Sequence, residues 1–102
     1  MMELRQITAK FPGRSSVTGI PFQAGDTIVF CPMPKGTLLP GEEKEWQAFV
    51  ALTNPRDPIS YVREPRRYLD TAAQYGITLD TVKGAWLRQK LEMATRRVEK
   101  SS

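Results

Sequence analysis

The sequence predicts an α+β fold: a small antiparallel β unit over residues 5–40, followed by three or four helices between residues 41 and 99. Three observations carry this. Residues 5–40 contain short β-branched and aromatic runs parted by Gly and Pro turns. Residues 41–99 carry apolar side chains at three- and four-residue spacing. Proline and glycine clusters fall between these segments and divide them cleanly.

In the β unit, Ile7, Ala9 and Phe11 alternate with Thr8 and Lys10, the period of a strand with one covered face. Pro12-Gly13 and Gly19 punctuate, and Ile20-Pro-Phe22 is a second short apolar piece. Thr27-Ile-Val-Phe-Cys31 is the strongest strand, ended by Pro32. Pro34-Lys-Gly36 reads as a turn before Thr37-Leu-Leu39. This makes three or four short strands, with Pro21, Pro32 and Pro34 at strand ends because they cannot donate to a ladder.

A helix opens at Gly41-Glu-Glu-Lys-Glu45, where early carboxylates suit the positive end of its dipole. Trp46, Phe49, Val50 and Thr53 lie on one face of it. Asn54-Pro-Arg-Asp-Pro58 stops it, and Asp57 is placed to cap a short turn. Pro65 starts the next helix, residues 65–75, which buries Tyr68, Leu69, Ala72, Ala73 and Tyr75. Gly76 sits where a left-handed residue ends a helix. The last helix is expected over residues 79–99. Leu87, Leu91, Ala94 and Val98 form one apolar stripe, and Val82, Ala85, Trp86 and Met93 lie on a different side. A helix apolar on two sides is either central in a bundle or has a second partner, such as another copy of the chain.

A chain of 102 residues is expected to form one domain with one modest core. It has no histidine and a single cysteine, Cys31. A Cys/His zinc site within one chain and a Cys–His nucleophile pair are thereby excluded, and no metal or cofactor is expected. Cys31 reads as a small core residue. Glu42, Glu43 and Glu45, beside Lys44, read as surface charge on a helix start, so the expectation is a non-enzyme. No apolar run is long enough to span a bilayer or serve as a signal segment, which points to a cytoplasmic protein without a membrane partner.

The net charge is +4. Residues 59–102 hold 9 basic and 5 acidic residues, while residues 41–58 hold 2 basic and 4 acidic ones. A basic C-terminal half suits a polyanion partner, and it also suits an ordinary helical surface.

The spacing Ala72-x-x-x-Gly76-Ile77-x-x-x-x-Val82 resembles the helix-turn-helix of bacterial and phage DNA-binding proteins, over roughly a fifth of the chain. The resemblance implies duplex DNA as partner, with Thr78, Thr81 and Lys83 near base edges, Arg88 further along, and Arg63, Arg66 and Arg67 at phosphates. Asp80 would face phosphates, and Gly84 offers no side chain to a base. An αα-hairpin uses the same packing without DNA. The alternative function is a protein-interaction module that docks on a larger assembly through Trp86, Leu87 and Leu91 or through the β edge. Pro12-Gly-Arg-Ser-Ser-Val-Thr-Gly19, followed by Ile20 and Gly25-Asp-Thr, is similar to a small zinc knuckle in which Ser15 and Thr18 replace the cysteines. That similarity implies the hairpin without the metal. The same loop, with Arg14, also suits phosphate, although it lacks the Gly-Lys-Ser/Thr ending of a P-loop.

Overall fold

The structure, a computed structural model, describes residues 3–101. In chain order its elements are β1 (Arg5–Thr8), β2 (Gly13–Arg14), β3 (Pro21–Phe22), β4 (Thr27–Pro32), β5 (Lys35–Leu38), α1 (Glu43–Leu52), α2 (Pro65–Gln74) and α3 (Ala85–Ser101). The architecture is α+β, with antiparallel strands followed by three helices among the described residues.

The strongly β-forming segment Thr27–Pro32 becomes the central strand of a three-stranded sheet ordered β1-β4-β5. Ile7 pairs with Ile28, and Cys31 with Gly36. β2 and β3 form a separate two-stranded hairpin, with Gly13 opposite Phe22. The turn between β4 and β5 is Met33-Pro34, joined by a cis peptide, so Lys35 and Gly36 belong to the strand rather than to the expected turn. A glycine is required there for a packing reason. A Cβ on Gly36 would lie 2.5 Å from the Trp46 ring, which covers that strand.

α1 joins the two halves because it buries two faces. Trp46 packs with Val29, Cys31 and Leu38 in the β core. Ala48 and Leu52, roughly 120–160° away around the helix, enter the helical core with Tyr68, Ala72, Leu87, Leu91 and Ala94. A third small cluster, Ala9, Phe22 and Ile28, lies under the β2–β3 hairpin. These separate clusters give an elongated molecule of 50 × 25 × 17 Å. Its radius of gyration of 14.6 Å exceeds the ~13 Å of a compact chain this size.

The segment before α2 is capped by Ser60, not Asp57. Ser60 Oγ accepts the N–H groups of Val62 and Arg63 at 3.2 and 3.4 Å. Asp57 instead pairs with Arg67. α2 begins at Pro65 as expected and ends in a Schellman arrangement. Gly76 has φ +77°, its N–H donates to Ala73 O, and the Ile77 N–H donates to Ala72 O. Tyr68 and Ala72 are buried, Leu69 and Tyr75 partly so, and Ala73 is exposed.

The largest departure is the start of α3, at Ala85 instead of residue 79. Residues 78–82 make one isolated turn in which the Thr81 and Val82 N–H groups donate to Thr78 O. The connection between α2 and α3 is therefore the ten residues 75–84, not a turn of three or four. The regular apolar spacing runs through Val82 because Val82 is itself buried, in the loop rather than in the helix.

Candidate functional site

Two carboxylates expected from the sequence at the surface are buried, and one of them, Glu45, holds the start of α3. Glu42 and Glu45 are each 4% exposed. Glu42 Oε1 accepts from Ser15 Oγ at 2.5 Å and from the Leu39 N–H at 2.9 Å, and its Oε2 accepts from Thr18 Oγ1 at 2.6 Å. The two hydroxyls at the knuckle positions thus converge on a carboxylate. Glu45 lies between the two buried faces of α1 and reaches the start of α3. Its Oε1 accepts the Lys83 N–H at 2.7 Å and its Oε2 accepts the Gly84 N–H at 2.8 Å. This places a negative charge at the positive end of α3 and satisfies N–H groups that a helix start leaves unpaired. Gly84 is buried in this contact. A Cβ there would clash with the Val17 carbonyl oxygen and lie 2.7 Å from Glu45 Oε2.

The candidate side chains from sequence are dispersed. Thr81 Oγ1 accepts the Thr78 N–H at 2.7 Å and lies 3.0 Å from Gly76 O, so both threonines serve the isolated turn. Arg88 donates to Val82 O at 2.8 Å and holds the same turn. Arg67 pairs with Asp57 and Glu64, and the hydrogen bond to Asp57 holds its guanidinium further into the charged form. Arg63, Arg66 and the Lys83 side chain are exposed, on the turn before α2, the first turn of α2 and the loop before α3. Leu87 and Leu91 are 3% and 1% exposed and belong to the helical core, so of the three proposed partner contacts only Trp86, 47% exposed, meets solvent.

One grouping is visible only in the folded chain. On α3, Trp86, Lys90, Met93, Arg97 and Lys100 fall within roughly 80° of one another, beside the buried Leu87, Leu91 and Ala94 and the partly buried Val98. Trp86 meets Phe49 of α1 edge-on, with ring centroids 5.3 Å apart. The turn at residues 61–63 lies along the same flank. Lys90 Nζ sits 5.2 Å from the Tyr61 ring and 5.5 Å from the Trp86 ring. A cation held by two aromatic faces is stabilised by their quadrupoles, by about 0.5–1 kcal/mol where exposed. Further along, Tyr61, Val62, Met93, Arg96, Arg97 and Lys100 line a shallow open groove. None of these residues is acidic. Glu92 and Glu99 are centred roughly 120–140° around the helix from this flank.

The flank therefore presents several positive charges, two aromatic rings and a thioether without a carboxylate among them. The signal available in the sequence was the 4-3-4-3 spacing of Trp86, Lys90, Met93, Arg97 and Lys100. That spacing does not show the aromatic partner, because Tyr61 lies 29 positions before Lys90.

A cavity of about 80 Å³ lies at the head of this flank, lined by Ser16, Val17, Glu45, Trp46, Phe49, Trp86 and Leu87. It is far below the ~300 Å³ of a small-molecule site. Among the described residues no group of three or more His, Cys, Asp or Glu side chains is placed to hold a metal, and no helix is long and apolar enough to cross a membrane. No protein-family model, curated protein or solved structure matches this chain.

Proposed function

We propose that this chain is a small non-enzymatic nucleic-acid-binding protein that contacts phosphates through the exposed flank of α3. The observation that supports this reading most is the groove lined by Arg96, Arg97 and Lys100 with Tyr61 and Met93, no Asp or Glu being among its lining residues, continued along α3 by Lys90 beside Trp86. Phosphate contacts release counterions, so affinity falls with salt in proportion to the contacts made. Three contacts predict a loss of roughly 20–40-fold between 50 and 200 mM salt. The helix-turn-helix resemblance enters this reading as packing of α2 on α3, with the contact surface moved from the connecting turn to the helix flank.

The test is fluorescence anisotropy of a labelled oligonucleotide at several salt concentrations. The Arg96→Glu/Lys100→Glu double variant is expected to lose binding. The Lys10→Glu/Arg14→Glu double variant changes net charge equally on the β unit and is expected to retain most of it. Equal losses in the two would reduce the effect to net charge and sink the proposal.

The second reading, a protein-interaction module, is supported by the open edge of β1. All four of its residues are exposed, Ile7 among them at 42%, and Phe11 just beyond the strand is 77% exposed. An unpaired edge with apolar neighbours is a template for another strand. By contrast, the outer edge of β5 is covered by Ser16, whose N–H donates to Thr37 O at 2.7 Å. Sedimentation velocity over a hundredfold concentration range checks the homodimeric form of this reading. A purely monomeric protein removes that form.

A further inference from the structure

We infer that the nucleic acid is single-stranded and lies along the Trp86–Lys100 flank with a base stacked against Trp86. This rests on the nucleic-acid reading above and adds the strand form. The first argument is exclusion. A recognition helix reads a duplex with residues at its N-terminal end, inserted in the major groove. Here that end is closed by the protein itself. Glu45 occupies the N–H groups of Lys83 and Gly84, and Gly84 is buried against the Val17 carbonyl. Thr78 and Thr81 are bonded within their own turn. At the end that would read a duplex, the Lys83 and Gly84 N–H groups are therefore capped and Gly84 is sealed inside the fold.

The second argument is what the open flank offers. It runs from residue 86 to residue 100, roughly 21 Å along the helix axis. That length suits a short single strand, at the lower end of the ~4–16 nucleotides that such sites cover. Its side chains alternate between ring and cation: Trp86, then Lys90 between Trp86 and Tyr61, then the arginine and lysine groove. Cations track a backbone of either strand form. The exposed Trp86 ring adds affinity only where base faces are free, and a duplex hides its base faces inside the stack. Lys90 occupies the ring faces in the free protein. An arriving base takes its place over Trp86, and the ammonium turns to a neighbouring phosphate. Trp86 is the side chain on which this inference turns, because it is 47% exposed while Trp46 is 5% exposed.

The experiment compares oligo(dT), oligo(U) and a duplex of the same length, each titrated with wild type, Trp86→Leu and Arg96→Glu/Lys100→Glu. Circular dichroism confirms that each variant is folded, and Trp86→Phe keeps a stacking ring if Trp86→Leu does not fold. The expected result is tighter binding to one or both single strands than to the duplex. Trp86→Leu then weakens single-strand binding by about 5- to 150-fold and leaves the duplex unchanged. Quenching of wild-type tryptophan emission by the single strand, and not by the duplex, is expected as well. The relative strength of oligo(dT) and oligo(U) sorts DNA from RNA. Equal or tighter duplex binding that is insensitive to Trp86→Leu overturns the strand form, while loss on Arg96→Glu/Lys100→Glu still upholds nucleic-acid binding. No salt-dependent binding to any of the three overturns the underlying reading.

Discussion

Replacing Glu45 by Gln tests whether one buried carboxylate sets the start of α3. The substitution keeps the size of the side chain and removes one of its two acceptors. In the native protein both oxygens are used, at 2.7 and 2.8 Å, by the Lys83 and Gly84 N–H groups. A hydrogen bond to a charged group contributes about 1.5–3 kcal/mol. In the Gln variant one bond becomes neutral and the other is replaced by an NH2 group facing an N–H. Loss of the charge at the helix start removes a further fraction of a kcal/mol. The expected destabilisation is about 2–3 kcal/mol, a large part of the ~5–15 kcal/mol of a whole domain. For a chain of this size it corresponds to a fall in Tm of roughly 8–24 °C. Urea unfolding followed by circular dichroism measures the loss, with the m-value expected to be unchanged. Native-state hydrogen exchange localises it, and the Gly84 amide should lose protection more than amides in the β core. A loss below about 0.5 kcal/mol, the usual range of a surface substitution, would refute the reasoning. So would unchanged protection at Gly84.

Two further predictions rest on other contacts. Gly36→Ala places a Cβ 2.5 Å from the Trp46 ring and should destabilise by about 1–3 kcal/mol, visible as a lower urea midpoint and a changed Trp46 emission. A variant as stable as wild type would mean that Trp46 does not pack on β5. Burial of Tyr68, with Tyr61 beside it, pushes its hydroxyl pKa up to about 12. The folded state therefore holds the proton that the unfolded chain releases near pH ~10, so the Tyr68 contribution is intact below that pH and is lost between pH ~10 and about 12. Tyr68→Phe should flatten the fall of Tm over this window, and parallel curves for the two proteins would contradict it.

Much of the chain was legible because its determinants are local. The strand at Thr27–Pro32 follows from β-branched and aromatic residues ended by proline, and the start and stop of α2 follow from Pro65 and Gly76. Leu87, Leu91 and Ala94 were recognisable as one apolar face. The helix-turn-helix spacing itself decomposes into local requirements. Gly76 stops a helix, Ala72 is buried in a helix pair, and Val82 fills the core from a loop. None of these three roles involves a ligand.

What only the tertiary structure decided is the fate of side chains whose partners lie far along the chain. Glu45 resembles its neighbour Glu43 in sequence, yet its acceptors are met by N–H groups 38 and 39 residues away. Glu42 is buried because Ser15 and Thr18, 27 and 24 residues before it, turn their hydroxyls toward it. No helical period records such pairings, since burial of a charge depends on donors supplied from elsewhere in the fold. The same holds for the flank. Composition and spacing determined that the last helix would be basic and would bury one stripe. Packing determined that its start is capped by Glu45, that Tyr61 comes to lie beside Lys90, and that Trp86 stays half-exposed on this flank while Trp46 is buried.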